Sequence, residues 1–214
     1  MEVVVLQENQ EEALEKAEAV IKSGGLVAVP TDTVYGIIGD ATRADAIERL
    51  YALKQRPKEK AFPAFVKDIA MARWFAYISD AKARFLETMW PGAVTVIFHH
   101  KEKLPPLLTA GMDTMALRIP NAPFLLALLA RVDVPLAQSS ANLSGMAPAT
   151  SAQAVFASFE HQKQKLDLVI DGGEIAGTPS AIIDLTAGEP RIIRSGLMNG
   201  GELQALFESI MLHK

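Results

Sequence analysis

The apolar residues of this chain fall into short runs separated by stretches with helical spacing. Val3 to Leu6 reads as a strand. Asn9 follows as a cap for a helix whose first turn carries Glu11 and Glu12, acids that favour a helix N-terminus. Ala13, Leu14, Ala17, Val20 and Ile21 then share one helical face, and Gly24-Gly25 stops the helix. Leu26 to Val29, closed by Pro30, is a second strand. A strand–helix–strand opening favours an α/β sheet.

Thr31 to Gly36 reads as a polar loop. Asp45 to Leu53 predicts a helix that delivers Lys54-Gln55-Arg56-Pro57, ended by a proline whose preceding residue avoids the helical region. Phe62 to Val66 is a candidate strand. Helices follow over Ile69 to Phe75 and Asp80 to Met89, then a Trp90-Pro91-Gly92 turn and a β-forming run from Ala93 to Phe98. Lys101 to Gly111 is a proline-containing loop. Met115 to Ile119 is a strand, Pro123 to Arg131 a helix with proline in its first turn, and Pro135 to Gln138 a short buried run. Ser139 to Thr150 has the composition of a long functional loop. Ser151 to His161 predicts a helix. Asp167 to Ile170, Ala181 to Leu185 and Arg191 to Ile193 read as short strands, and Glu202 to Leu212 as a terminal helix. The pattern amounts to one mixed α/β domain over residues 1–197 with a helical tail, residues 198–214, packed on it.

Composition narrows the function. Half of the 214 residues are hydrophobic, which supports a sizeable core. The net charge of −4 disfavours a uniformly basic nucleic-acid binder and leaves room for a local basic patch. Cysteine is absent, which removes disulfides, thiolate nucleophiles and cysteine zinc sites. The four histidines, His99, His100, His161 and His213, form no metal-ligand pattern, so no protein metal site is expected. There is no basic-then-apolar leader, and the longest apolar run, near Pro123 to Ala130, falls short of the ~20 residues of a membrane span. The expectation is a soluble cytoplasmic protein that does not engage membranes.

Three loops, Pro30 to Gly36, Ser139 to Gly145 and Gly177 to Ser180, each concentrate hydroxyls or small residues beside an apolar run. They could present hydrogen-bond donors at the edge of a sheet, or serve ordinary turn chemistry. Lys54 to Lys60 is the densest basic stretch. It suits a phosphate clamp, with arginine as a fork and lysine as a mobile charge, and it equally suits a solvated helix end. No G-x-x-x-x-G-K-S/T loop is present, which disfavours an ordinary P-loop nucleotide site. Arg118 and Arg194 each end an apolar run and so need a partner: a bound carboxylate, a structural ion pair, or water at the tip of a packed stem. The aspartates are scattered and identify no acid–base pair.

Order and spacing are more specific than any single motif. Gly-Gly-Leu-Val-Ala-Val-Pro-Thr-Asp-Thr-Val-Tyr-Gly from Gly24 to Gly36 resembles the opening motif of YrdC-like proteins. Lys54 to Pro57 resembles their K-x-R-P segment, Trp90 to Thr95 their W-P-G-x-x-T turn, and Met115 to Pro120 their V-A-V-R-x-P strand. Ser139 to Gly145 resembles the S-A-N-x-S-G loop, while Pro179 to Asp184 and Ile193 to Gly196 resemble the last two motifs.

The resemblance implies a twisted, mixed and largely parallel sheet with flanking helices around a concave, positively charged cleft. It implies synthesis of L-threonylcarbamoyl-AMP from L-threonine, bicarbonate and ATP, with pyrophosphate release and Mg2+ accompanying the ATP. The product would pass to proteins that modify adenosine in tRNA, and tRNA or double-stranded RNA could itself touch the basic cleft. By position, Lys54, Arg56, Lys60, Thr114, Ser140, Pro148 and Arg194 would contact ATP, with Lys54 and Arg56 acting on the phosphates. Thr33, Arg118, Gln138 (through its backbone) and Ser180 would hold threonine. Phe65 stands where the family often has histidine, and Ala181 where it often has threonine, which leaves open another amine substrate on the same scaffold.

Overall fold

The computed structural model describes residues 2–187, 189–196 and 201. In chain order the elements are β1 (Glu2–Val5), α1 (Gln10–Lys22), β2 (Val27–Val29), β3 (Gly36–Asp40), α2 (Ala44–Lys54), β4 (Ala64–Phe65), α3 (Ile69–Phe75) and α4 (Asp80–Glu87). They continue with β5 (Val94–His99), β6 (Thr114–Arg118), α5 (Pro123–Val132), β7 (Leu136–Ser140), α6 (Ala152–Phe159), β8 (Leu168–Asp171), β9 (Ala181–Asp184) and β10 (Arg191–Arg194). Among the described residues the ten strands form one sheet, ordered β1-β8-β2-β3-β7-β4-β6-β5-β9-β10. The sheet is mixed, as expected. Its pairings are four parallel and five antiparallel, so parallel pairing has a smaller share than the resemblance implies. Short links explain this: β2 returns as β3 and β9 as β10 too quickly for the long crossover that a parallel pair needs.

Capping sets the helix starts. Asn9 Oδ1 accepts from Glu12 N at 3.2 Å, and Asp68, Ser79 and Ser151 do the same for α3, α4 and α6. The sheet buries both faces. Ala13, Leu14, Ala17 and Ile21 of α1 pack with Leu125, Leu128 and Leu129 of α5 on one side, over Val27 and Val29. Ala28, between those valines, points to the other side, where α2, α3, α4 and α6 supply Leu50, Phe75, Phe85 and Val155. The period-2 alternation of β2 thus divides the two cores.

The central strand β3 is the main departure from the sequence reading, which ended a loop at Gly36. Gly36-Ile37-Ile38-Gly39-Asp40 is buried throughout and pairs with β2 and β7. Its glycines weaken the strand signal, and a Cβ on Gly39 would lie 2.8 Å from Leu26 Cδ2, so the buried leucine would have to shift. The helix expected over Glu202 to Leu212, and the 198–214 tail as a unit, lie outside the described residues. Among those residues no helix is long and apolar enough to cross a membrane.

Candidate active site

The hydroxyl-rich loops bond to one another as well as to themselves. Thr31 Oγ1 accepts from Thr33 N at 3.0 Å, donates to Val34 O at 2.7 Å and lies 2.9 Å from Thr33 Oγ1. That closes the turn after β2. Tyr35 then ties its loop to the segment after β7 and to the turn after β8. Its amide donates to Ala149 O and its carbonyl accepts from Ala141 N. Its hydroxyl donates to Gly173 O at 2.7 Å and accepts from Gly172 N at 3.0 Å. Gly177 N donates to Thr33 O at 3.1 Å. Loops that satisfy each other's backbone groups form a fixed rim rather than separate turns.

Two adjoining cavities lie along this rim. The larger, about 390 Å³, is walled by Phe62, Ile97, Met112, Ile182 and Ile193, and its polar groups include Lys60, Thr114 and Glu59. The smaller, about 250 Å³, is lined by Thr33, Arg118, Ser140, Pro148 and neighbours. Arg56, Gln138, Ser180 and Arg194 border both, so the two form one cleft. Apart from Lys54, every residue assigned to ATP or threonine by motif position lines it.

The three arginines are held differently. Arg56 donates Nε to Lys60 O at 2.9 Å and a terminal nitrogen to Ala61 O at 2.8 Å, and its guanidinium lies 4.9 Å from the centre of the Phe62 ring. Arg194, at the end of β10, donates to Ser180 O at 2.9 Å and Ser180 Oγ at 3.3 Å. Ser180 Oγ is also 3.0 Å from Thr95 Oγ1, which ties the residue before β9 to β5. Arg118 is 2 % exposed. It donates Nε to Gly92 O at 2.8 Å, Nη1 to Thr33 Oγ1 at 3.2 Å, and Nη2 to Asp32 Oδ1 at 2.5 Å. Burial lowers the pKa of its guanidinium, and the Asp32 carboxylate opposes that shift.

Lys54 lines neither cavity. It is 2 % exposed, and its ammonium donates to Ser140 O at 2.5 Å, to Asn142 O, and to Asn142 Oδ1 at 3.1 Å. Burial, then the charge of Arg56, pushes it down to about 7. The oxygens around it favour the charged form and oppose that push. Its own carbonyl accepts from Ser144 N and Ser144 Oγ. The lysine that the resemblance assigns to phosphate is held here by Ser140 at the end of β7 and Asn142 just after it.

This geometry accompanies a match over residues 19–196 to the Sua5/YciO/YrdC family, described as "Telomere recombination". The chain belongs to that family. It is 33% identical to threonylcarbamoyl-AMP synthase of Pyrococcus abyssi over 92% of its own length and 58% of the relative's. It is 32% identical to the Klebsiella pneumoniae threonylcarbamoyl-AMP synthase, covering 83% of this chain and 94% of the relative. Among solved structures, P. abyssi Sua5 complexed with L-threonine superposes with a TM-score of 0.88 at 32% identity, covering 97% of this chain and 61% of that one. E. coli YciO superposes at 0.82 and 24% identity, covering 92% and 96%, a likeness of fold. The chain thus spans just under three fifths of the P. abyssi enzyme, and likewise of the Bacillus subtilis one at 58%.

Within the Sua5/YciO/YrdC fold, the departures noted in the motifs fall outside the cleft. Phe65 is buried in the α1/α5 core, and the Arg118 guanidinium lies 5.8 Å from the centre of its ring. Ala181 is fully buried in β9, its amide donating to Ala93 O at 2.9 Å. Neither lines the cavities. The sequence reading missed Asp32 as the partner of Arg118, Asn142 as the partner of Lys54, and Thr95 beside Ser180. All three sit inside quoted motifs, and nothing in a linear pattern shows which side chains meet across the sheet.

Proposed function

We propose that this cleft makes L-threonylcarbamoyl-AMP from L-threonine, bicarbonate and ATP, releasing pyrophosphate. One observation carries the reading: Arg56, Arg118 and Arg194 converge with the hydroxyls of Thr33 and Ser180 on a cleft whose only lining carboxylate, among the described residues, is Glu59. Such a site selects a ligand with several anionic groups. The P. abyssi structure bound to L-threonine supports a small amino acid as one of them.

The free N–H groups of Arg118 take the amino-acid carboxylate, and Thr33 and Ser180 orient its polar side chain. Threonine's amine attacks bicarbonate, water leaves, and a carbamate forms. A carbamate oxygen then attacks the α-phosphorus of ATP as the bond to pyrophosphate breaks. Arg56, Arg194 and Lys60 neutralise the negative charge that grows on the leaving phosphates. No covalent enzyme intermediate is needed, so catalysis consists of positioning and electrostatics. Phe62, Ile97 and Ile193 offer the apolar wall that a purine base can pack against.

Magnesium fits as a metal carried in with the nucleotide. Glu59 and the nearby hydroxyls could complete a coordination shell otherwise made of phosphate oxygens and water. Bound there, it would add charge neutralisation on the phosphates. The activated product, a mixed anhydride, suits consumption by proteins that modify tRNA in the cytoplasm.

The test is pyrophosphate release from ATP and bicarbonate with and without threonine. Threonine-dependent release is expected. Release that ignores threonine and responds to another amine replaces the substrate assignment. No release, together with salt-sensitive RNA binding, refutes the enzyme reading.

A further inference from the structure

We infer that Asp32 is a positioning residue for amino-acid recognition: it acts through Arg118, fixing the charge and orientation of that guanidinium from the side away from the substrate. This rests on the reading that Arg118 receives the amino-acid carboxylate.

The geometry is specific. Asp32 and Thr33 are neighbours in the turn that Thr31 locks, and both reach Arg118. Thr33 lines the cleft. Asp32 lines a separate hollow of about 310 Å³ with Pro30, Asn121 and Phe124. The two contacts therefore approach the guanidinium from different sides. Asp32 Oδ1 takes one terminal nitrogen at 2.5 Å, while Oδ2 accepts from Asn121 N at 3.1 Å. Gly92 O takes Nε. Both terminal nitrogens keep N–H groups that are not consumed, and these are what a ligand in the cleft can use.

An isolated guanidinium this deeply buried is unfavourable, and its side chain is only 3 % exposed against 13 % for Asp32. The carboxylate supplies the counter-charge without occupying the cleft. It also uses both oxygens as acceptors, which an amide cannot do. In Asp32→Asn, one orientation puts the amide N–H2 against Asn121 N–H and the other puts it against Arg118. The substitution keeps the shape, removes the charge and breaks one of the two anchors.

The experiment compares wild type, Asp32→Asn and Asp32→Glu as full-length proteins. Calorimetry measures threonine and ATP binding separately, and NMR follows hydrogen exchange of the Arg118 side-chain Nε–H without ligand. Asp32→Asn should weaken threonine on the order of 10- to 100-fold, leave ATP affinity unchanged and speed that exchange. Asp32→Glu, which keeps both acceptors, should restore most of the loss. Unchanged threonine affinity in a folded Asp32→Asn protein overturns the inference, as does a parallel loss of ATP and threonine binding that tracks a fall in thermal midpoint. If wild type binds no threonine, the substrate reading fails by itself. Exchange at Arg118 then decides: acceleration in Asp32→Asn upholds the anchoring role and its absence refutes it.

Discussion

Lys54→Met separates the phosphate contact that the resemblance implies from the loop anchoring seen in the fold. The substitution keeps an unbranched side chain of similar length and removes the ammonium. In the fold that ammonium faces Ser140 O, at the end of β7, and Asn142 O and Asn142 Oδ1, in the loop that follows. Losing it leaves these oxygens without that donor. Hydrogen bonds to a charged group contribute about 1.5–3 kcal/mol each, and removing the desolvated charge recovers part of the sum. The net loss should be about 2–4 kcal/mol, which lowers the thermal midpoint on the order of 10 °C for a chain of this size. Urea denaturation and a thermal scan measure the stability, and limited proteolysis around residues 139–145 reports the loop. A direct phosphate clamp makes the opposite demand: ATP affinity falls while ligand-free stability and loop protection stay as in wild type. That outcome would refute the argument from burial.

Arg118→Ala should reduce threonine affinity about 100-fold while ATP binding, measured separately by calorimetry, holds. The reverse pattern removes Arg118 from the amino-acid site. Gly196→Ala should lower stability by at least ~1–3 kcal/mol in urea titrations and slow pyrophosphate release, because φ there is +59° and a Cβ would sit 2.2 Å from Ala181 N and 2.4 Å from Ser180 C. A variant as stable as wild type would show that β9 and the chain after Arg194 can part without cost. Burial opposes ionisation of Asp184, yet Thr186 and Arg191 outweigh it and hold the carboxyl below its ordinary 3.8. The stability this contributes is complete above 3.8 and is lost as pH falls through the lower folded value. Asp184→Asn should flatten the acid limb of a plot of urea midpoint against pH, and an unaltered limb counts against the assignment.

Much of the architecture was legible in the chain because local rules governed it. The cap at Asn9, the helix stop at Gly24 and the apolar run from Leu26 to Val29 each depend on neighbours in sequence. The residues that motif order set apart, Lys54 excepted, line the two cavities, since a family's spacing stores the result of its fold. The strand β3 escaped because glycines bracket its isoleucines, and only pairing on both sides makes Gly36 to Asp40 a strand.

What the linear pattern alone determined, then, is where most helices lie, which faces are apolar and that cations and hydroxyls are available near Lys54, Arg118 and Arg194. The tertiary structure decided which of those groups remain free. Lys54 and Arg56 are separated by a single residue, yet Lys54 is spent on loop carbonyls and Arg56 borders both cavities. Asp32 and Arg118 are distant in sequence, and the partly buried carboxylate meets the buried guanidinium. Hydrogen-bond partners and burial depend on contacts made across the sheet, so charge in the sequence becomes function only once the fold has assigned each charge its partner.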